Sequence, residues 1–341
     1  MNLIRLPKPA QPHDYDTASR EIEELLRALP GIAAVYRTGG VSAPGISDID
    51  RIAVVDREAP APPVWPKLSA RTKQLAMHGP FLIDRSTFTR HRWFAYLEPL
   101  ELSHGEPVPV EDSPLPSYSE PLVAAESIVT GLLSMLKQLS TGVVKVRPTL
   151  CQLNNLRHAL ALARIGEAEA EPAWRLAADV TALRNDWFAS PEDELLERVR
   201  KALFVAPGAL AEALWVLGER SGSAGNVNGG EAIRLAPPWS NVRLAASDEM
   251  AIPRLRLPHL RSARFAELAW RAARPRVEIH PNVLDLLAGR GEREAEDFRA
   301  SRDELVREYR DWLRTHGPGY AEIGLASPFL PTTAPAGSAS A

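Results

Sequence analysis

The stretch from Gly39 to Asp56 reads GGVSAPGISDIDRIAVVD, a glycine-bearing turn that passes through Asp48-Ile49-Asp50 into an apolar run. Residues Asp50 to Val55 have the character of a short buried strand. Strand geometry sends alternate side chains to one face, so Asp48 and Asp50 converge while Ile49 turns away. Two carboxylates side by side repel each other unless a cation sits between them. Hard oxygen ligands beside the backbone N–H groups of a glycine turn are what a divalent cation and a polyphosphate require together.

Working outward, apolar residues recur at helical spacing from Tyr15 to Leu29 (Ile22, Leu25, Leu26, Leu29), and Pro30-Gly31 ends the pattern. Ile32 to Tyr36 reads as a strand before the turn. Ala59 to Pro66 is proline-rich loop, Lys67 to Met77 a second helix, and Phe81 to Asp84 a third short strand ending in an acid. Prolines and acids dominate from Val110 to Pro121, which sets a domain boundary and assigns residues 1–112 to a first domain.

Residues 113–330 read as a mainly helical second domain. Helical spacing recurs over Leu122–Leu139, Leu150–Ile165, Ala173–Phe188, Glu192–Leu203, Ala209–Leu217, Asn282–Ala288 and Arg293–Leu313. A Gly-rich loop and a small β insertion interrupt it near 221–257, with a hairpin expected around Ile233 and Val242. The charge-free Pro/Thr/Ala/Gly/Ser stretch 331–341 reads as a disordered tail. The expected fold class is therefore α+β: a short mixed sheet flanked by helices, then a helical bundle.

Composition narrows the class further. A chain of 341 residues, 45% hydrophobic and 24% charged, has room for two globular domains, and a net charge of −3 supplies no global attraction to nucleic acid or anionic membrane. The lone Cys151 excludes an intramolecular disulfide and a cysteine-based zinc cluster, and its place in an apolar helical run marks it as a buried structural thiol. No run approaches about 18 uninterrupted apolar residues, and the N-terminus lacks a signal-peptide core, so the expectation is a cytoplasmic protein with no membrane partner.

The string Gly39, Gly40, Gly45, Ser47, Asp48, Ile49, Asp50, set between a strand and an apolar run, resembles the nucleotidyltransferase domain of the DNA polymerase β superfamily, over roughly residues 15 to 105. The resemblance implies Mg²⁺-dependent transfer of a nucleoside monophosphate from a nucleoside triphosphate to a hydroxyl acceptor, with two Mg²⁺ ions, or Mn²⁺ in their place, held by Asp48, Asp50 and a third carboxylate. Asp84 is the acid expected to complete that set. Main chain at Gly39 and Gly40 would cradle phosphates, with hydroxyl contacts from Ser42 and Ser47. A small-molecule or protein acceptor is favoured over tRNA, because no basic stripe dominates the helical domain.

The chain departs from the family pattern at Gly40, where small relatives have serine, and at Arg51, where an aliphatic residue is usual. These departures, and the unproven reach of Asp84, motivate a second reading: a catalytically degenerate nucleotide sensor or partner-binding module. For each residue a plainer role stands beside the chemical one. Asp48 would cap a turn, Asp84 would face water at a strand end, and Arg51 would be a solvent-facing strand residue.

Other features carry less. Arg310 and His316 resemble an Arg-x₄₋₆-His ribonuclease spacing of helical proteins, in a chain where arginine is abundant. Residues 254–276 hold seven arginines against one acid, Glu267, a strip suited to phosphates or to lying over apolar surface. Lys137, Lys145 and Arg147 either close over a triphosphate or decorate a solvated helix end. His78, His91, His104 and His158 are too scattered for a recognisable zinc site.

Overall fold

The computed structural model describes residues 1–97, 99–111, 115–221, 233–234, 243–244, 279–288 and 293–323. The Gly-rich loop from 222, the arginine strip at 254–276, the 112/113 boundary and the tail from 331 lie outside the described residues.

The N-terminal part begins with strand β1 (Asn2–Ile4) and helix α1 (Pro12–Arg27), whose first turn is pre-set by Pro12 and whose Tyr15, Ile22 and Leu26 are buried. Strands β2 (Ile32–Thr38), β3 (Asp50–Val55), β4 (Phe81–Asp84) and β5 (Leu100–Gly105) form one mixed sheet in the order β4-β3-β2-β5. Strands β2 and β3 are antiparallel, with Thr38 opposite Asp50, while β3 and β4 are parallel, with Ile52 opposite Phe81 and Val55 opposite Asp84. Ile52, Ala53, Val54 and Val55 are all fully buried, which is why this strand reads as a continuous apolar run rather than an alternating one. Short helices α2 (Ala70–Leu75) and α3 (Arg85–Phe88) flank β4.

The helical part comprises α4 (Ser119–Thr141), α5 (Val146–Leu162), α6 (Glu171–Asp186), α7 (Glu192–Arg220) and α8 (Pro281–Ala288), around a core that includes Leu132, Leu150, Val180, Leu203 and Leu214. The protein is thus α+β, with a short mixed sheet and a helical region. Strand β6 (Val143–Lys145), between α4 and α5, pairs in parallel with β1 and ties the N-terminus to this region. Where a hairpin was expected, β7 (Ile233–Arg234) pairs antiparallel with β8 (Arg243–Leu244), and the residues between them lie outside the described ones.

The structure corrects two sequence expectations. Glu192–Leu203 and Ala209–Leu217 are one helix, α7, running through Pro207. Leu203, Ala206, Ala209 and Leu210 are buried on both sides of the proline, so core packing outweighs its cost of about 3 kcal/mol or more. Helices α4 and α7 are long and apolar enough to span a membrane by composition, yet 67% and 61% of their apolar windows are buried within the protein. The last helix, α9 (Arg293–His316), does not join the helical core: Leu305, Val306, Tyr309, Trp312 and Leu313 pack with the sheet core. Tyr309 donates to the Leu82 carbonyl and Trp312 to the Arg57 carbonyl, each at 2.8 Å.

The two cores therefore interlock. Arg302 of α9 lies fully buried against Glu126 of α4 and donates to the Trp93 carbonyl at 2.7 Å. In the other direction, Ala43 and Ile46 of the glycine turn pack into the helical core.

Candidate functional site

Thr38 closes β2 opposite the first residue of β3, so the turn that follows β2 comes back against Asp50. Gly39 has φ +68°, and a Cβ added there would stand 3.7 Å from an Asp50 carboxylate oxygen. The left-handed φ is what favours glycine here, while a Cβ would meet the carboxylate only at ordinary van der Waals distance. Gly39, Gly40, Asp48 and Asp50 line a cleft of about 340 Å³ together with Tyr15, Arg20 and Arg37. Ser42 is exposed on the same turn.

Asp48 and Asp50 converge on a third side chain, His78. Its Nε2 lies 3.3 Å from Asp48 Oδ2 and 3.3 Å from Asp50 Oδ1. Its Nδ1 is 2.7 Å from the Gly79 carbonyl, and its ring packs on Phe81 with centroids 4.9 Å apart. Burial, then the neighbouring Asp50, push Asp48 up to about 7. Burial opposes charge on His78, but the hydrogen bond to Asp50 and the charge of Asp48 outweigh it and raise the imidazole to about 9. With no metal bound, a protonated His78 is the cation between the two acids.

The turn carrying Asp48 is held from three helices. Tyr15 of α1 donates to the Ser47 carbonyl at 2.9 Å and accepts from Gly45 N–H at 2.9 Å. Gly45 is needed on two counts, a φ of +86° and the Phe188 ring 2.7 Å from where a Cβ would sit. Arg147 of α5 donates to the carbonyls of Ile46 at 2.9 Å, Ser47 and Leu75, both at 2.6 Å, and Gln74. One guanidinium thereby staples the segment leading to Asp48 to the segment leading to His78. Cys151, also on α5, donates to the Ile46 carbonyl, and burial pushes its thiol up to about 11, so it is inert packing.

No known family, curated protein or solved structure matches the chain.

Of the sequence-predicted residues, the structure brings together Asp48, Asp50, Gly39 and Gly40. It does not bring Asp84. The parallel register places Asp84 opposite Val55, at the far end of β3 from Asp50, roughly 16 Å away at about 3.3 Å per residue. Asp84 is fully buried and caps α3: it accepts from Thr87 N–H at 3.1 Å, Thr87 Oγ1 at 2.6 Å and Ser86 Oγ, and Arg57 lies 3.5 Å away. Neither the third metal ligand nor the water-facing acid is what this residue is.

Three further expectations change. Ser47 is 2% exposed, and its hydroxyl accepts from Ala43 N–H at 3.0 Å and Arg184 at 3.2 Å, so it organises the turn instead of meeting phosphate. Arg51 does not face solvent. It is buried in the wall of the same cleft and committed to other partners, donating to Glu23 of α1 at 2.9 Å, to Ser19 at 2.7 Å and to the Asp50 carbonyl at 2.8 Å. Arg147 is likewise buried rather than free to close over phosphates. Arg310 and His316 make separate contacts, Arg310 with Glu322 at 2.6 Å and His316 with the Trp312 carbonyl at 3.1 Å.

The residue that sequence reading missed is His78. Its signal was positional: it stands just before the Gly79-Pro80 that opens the strand parallel to β3, which sets it beside the start of that strand. Cleft size does not find the site. A larger depression, about 830 Å³, lies at the other end of the sheet, lined by Asp56, Arg57, Arg85 and Arg90, and Asp56 there pairs with Arg85 at 3.5 Å.

Proposed function

We propose that the Asp48/Asp50 cleft binds a nucleoside triphosphate with a divalent cation and transfers its nucleotidyl group to a hydroxyl acceptor, a small molecule or protein. One observation carries this reading: Asp48 and Asp50 bring ligand atoms within 4.8 Å of one another and of His78, beside the glycines of the turn, with Asp50 next to Gly39. The succession of α1, β2, glycine turn, β3, α2 and β4 supports a nucleotidyltransferase-like fold for the N-terminal part. Asp48 and Asp50 would hold the cation, which would supply Lewis-acid stabilisation of phosphate charge and activation of the attacking hydroxyl. The exposed main chain at Gly39 and Gly40 would approach the phosphates closely. Arg20 on the cleft wall would supply positive charge to the leaving end. Burial of Ile49 beneath the pair and the Arg147 staple hold both carboxylates in place before ligand arrives.

A second reading, nucleotide holding without transfer, is favoured by one observation. The residue that joins the two acids in the group able to hold a metal is a histidine where a third carboxylate was expected. Incubation with each of the four nucleoside triphosphates and Mg²⁺ or Mn²⁺, with and without a pool of hydroxyl-bearing small molecules and proteins as acceptors, read by thermal shift, pyrophosphate release and label transferred to acceptor, separates the two. The transfer reading expects a stabilising nucleotide and pyrophosphate release that Asp48→Asn and Asp50→Asn abolish. Tight binding without product establishes the holding reading, and the absence of any nucleotide binding sinks both.

A further inference from the structure

We infer that His78 is a metal ligand of the Asp48/Asp50 site and that this nitrogen makes the site select a first-row transition ion over Mg²⁺. The inference rests only on the metal-binding half of the function proposed above. The ligand atoms of Asp48, Asp50 and His78 all lie within 4.8 Å of one another, close enough for one ion to span the three.

The orientation of the imidazole is the second observation. Nδ1 sits 2.7 Å from the Gly79 carbonyl, an acceptor, so Nδ1 carries the hydrogen. The lone pair of a neutral imidazole is then on Nε2, the atom 3.3 Å from both carboxylates. A backbone carbonyl fixing one ring nitrogen while the other faces the ion is how metal-binding histidines are commonly oriented. The support beneath the ring is rigid. A Cβ at Gly79 would approach the Gly319 carbonyl to 3.1 Å, and Ala321 N–H donates to the Pro80 carbonyl at 3.0 Å, so the segment after α9 pins the backbone next to His78. Arg147 fixes the approach from the other side through Gln74 and Leu75.

The donor set then decides the ion. Mg²⁺ takes oxygen ligands and keeps much of its water, so an imidazole adds little to its binding. First-row divalent ions accept imidazole nitrogen alongside carboxylate oxygen. An Asp/Asp/His site therefore discriminates where an all-carboxylate site would not.

The test uses the full chain, stripped of metal, with Mn²⁺ alone and no nucleotide, so its failure is separable from failure of the transferase assay. Free Mn²⁺ is followed by electron paramagnetic resonance, in competition with Mg²⁺, and the bound ion is probed by electron spin echo modulation for coupling to ¹⁴N. Wild type is expected to bind Mn²⁺ at least about tenfold more tightly than Mg²⁺ and to show ¹⁴N modulation. His78→Ala should lose the modulation and at least about tenfold in Mn²⁺ affinity, and His78→Asp should bring the two ions closer in affinity. Because His78→Ala risks misfolding, His78→Asp is read in parallel and both are checked by thermal melting. Absence of Mn²⁺ binding, wild-type Mn²⁺ without ¹⁴N modulation, or variants that bind Mn²⁺ as well as wild type would each overturn the assignment and leave His78 as a charged spacer between the acids.

Discussion

At one end of β3, Asp48 and Asp50 face each other with His78 as the one cation between them; at the other end, opposite Val55, Asp84 is fully buried with three hydroxyl and amide hydrogen bonds and Arg57 beside it. The residue type and the sheet are shared. What differs is the supply of donors. Asp84 sits where α3 begins, and the unbonded N–H and hydroxyl groups of that turn satisfy it. Asp48 and Asp50 sit where a strand leaves a glycine turn; Asp48 takes one amide, Ile49 N–H at 2.8 Å, and other groups nearby are spent elsewhere, Ser47 on Ala43 and Arg184, Arg147 on carbonyls. Glu23 is a third case, an acid saturated by Arg37 and Arg51 in the wall of the same cleft. A carboxylate with its partners supplied by the fold is a structural element, and one whose partners the fold withholds is poised to take a ligand.

The comparison breaks most severely at Arg147, which holds the ligand-taking end together. Arg147→Ala removes a charged donor from the carbonyls at 46, 47, 74 and 75, leaving Ser47 only Tyr15 and Ile46 only the weak Cys151 thiol, and is expected to cost on the order of 4 kcal/mol in urea unfolding, with loss of Mn²⁺ binding. Glu23→Gln comes next, at about 2–3 kcal/mol near neutral pH, because it leaves the buried Arg51 without its counter-charge. Burial alone would raise Glu23, but Arg37 and Arg51 outweigh it and hold the carboxyl below its ordinary 4.5. Its stabilisation is accordingly complete above that pH and is lost as pH falls through the lowered value, so the wild-type advantage over Glu23→Gln should shrink towards acid.

Asp84→Ala removes a cap and its buried hydrogen bonds and should cost about 2 kcal/mol, while Mn²⁺ affinity stays within about twofold of wild type. Weakened metal binding in that variant, at intact stability, would return Asp84 to the site. The smallest effect on stability is expected for Asp48→Asn. It relieves repulsion with Asp50 but forfeits attraction to His78, so the melting of the metal-free protein should change by less than about 1 kcal/mol, while metal binding disappears. A loss as large as that of Asp84→Ala would dissolve the distinction between the two ends.

Much of this arrangement is written locally. Pro30-Gly31, the alternation around Asp48 and Asp50 and the apolar run to Val55 placed α1, β2 and β3 to within a few residues, because caps, breakers and side-chain alternation act over one or two turns. The convergence of Asp48 and Asp50 follows from the same alternation. Asp84 went astray for a reason of register: its strand was recognised, but parallel pairing that begins at Ile52 and Phe81 sends the acid to the wrong end of the sheet. Arg51 went astray because its partner Glu23 is 28 positions earlier, and nothing in its own surroundings announces a buried counter-charge.

The sequence by itself determined the α+β class, the glycine turn and the paired carboxylates, all consequences of spacing along a continuous backbone. Only the tertiary structure decided which third side chain meets that pair, which acid is spent on a helix cap, and that α9 packs its apolar residues on the sheet core while its arginines reach Glu126 of α4. Those depend on strand register and on which distant donors are already engaged, and both are set when the two cores pack together.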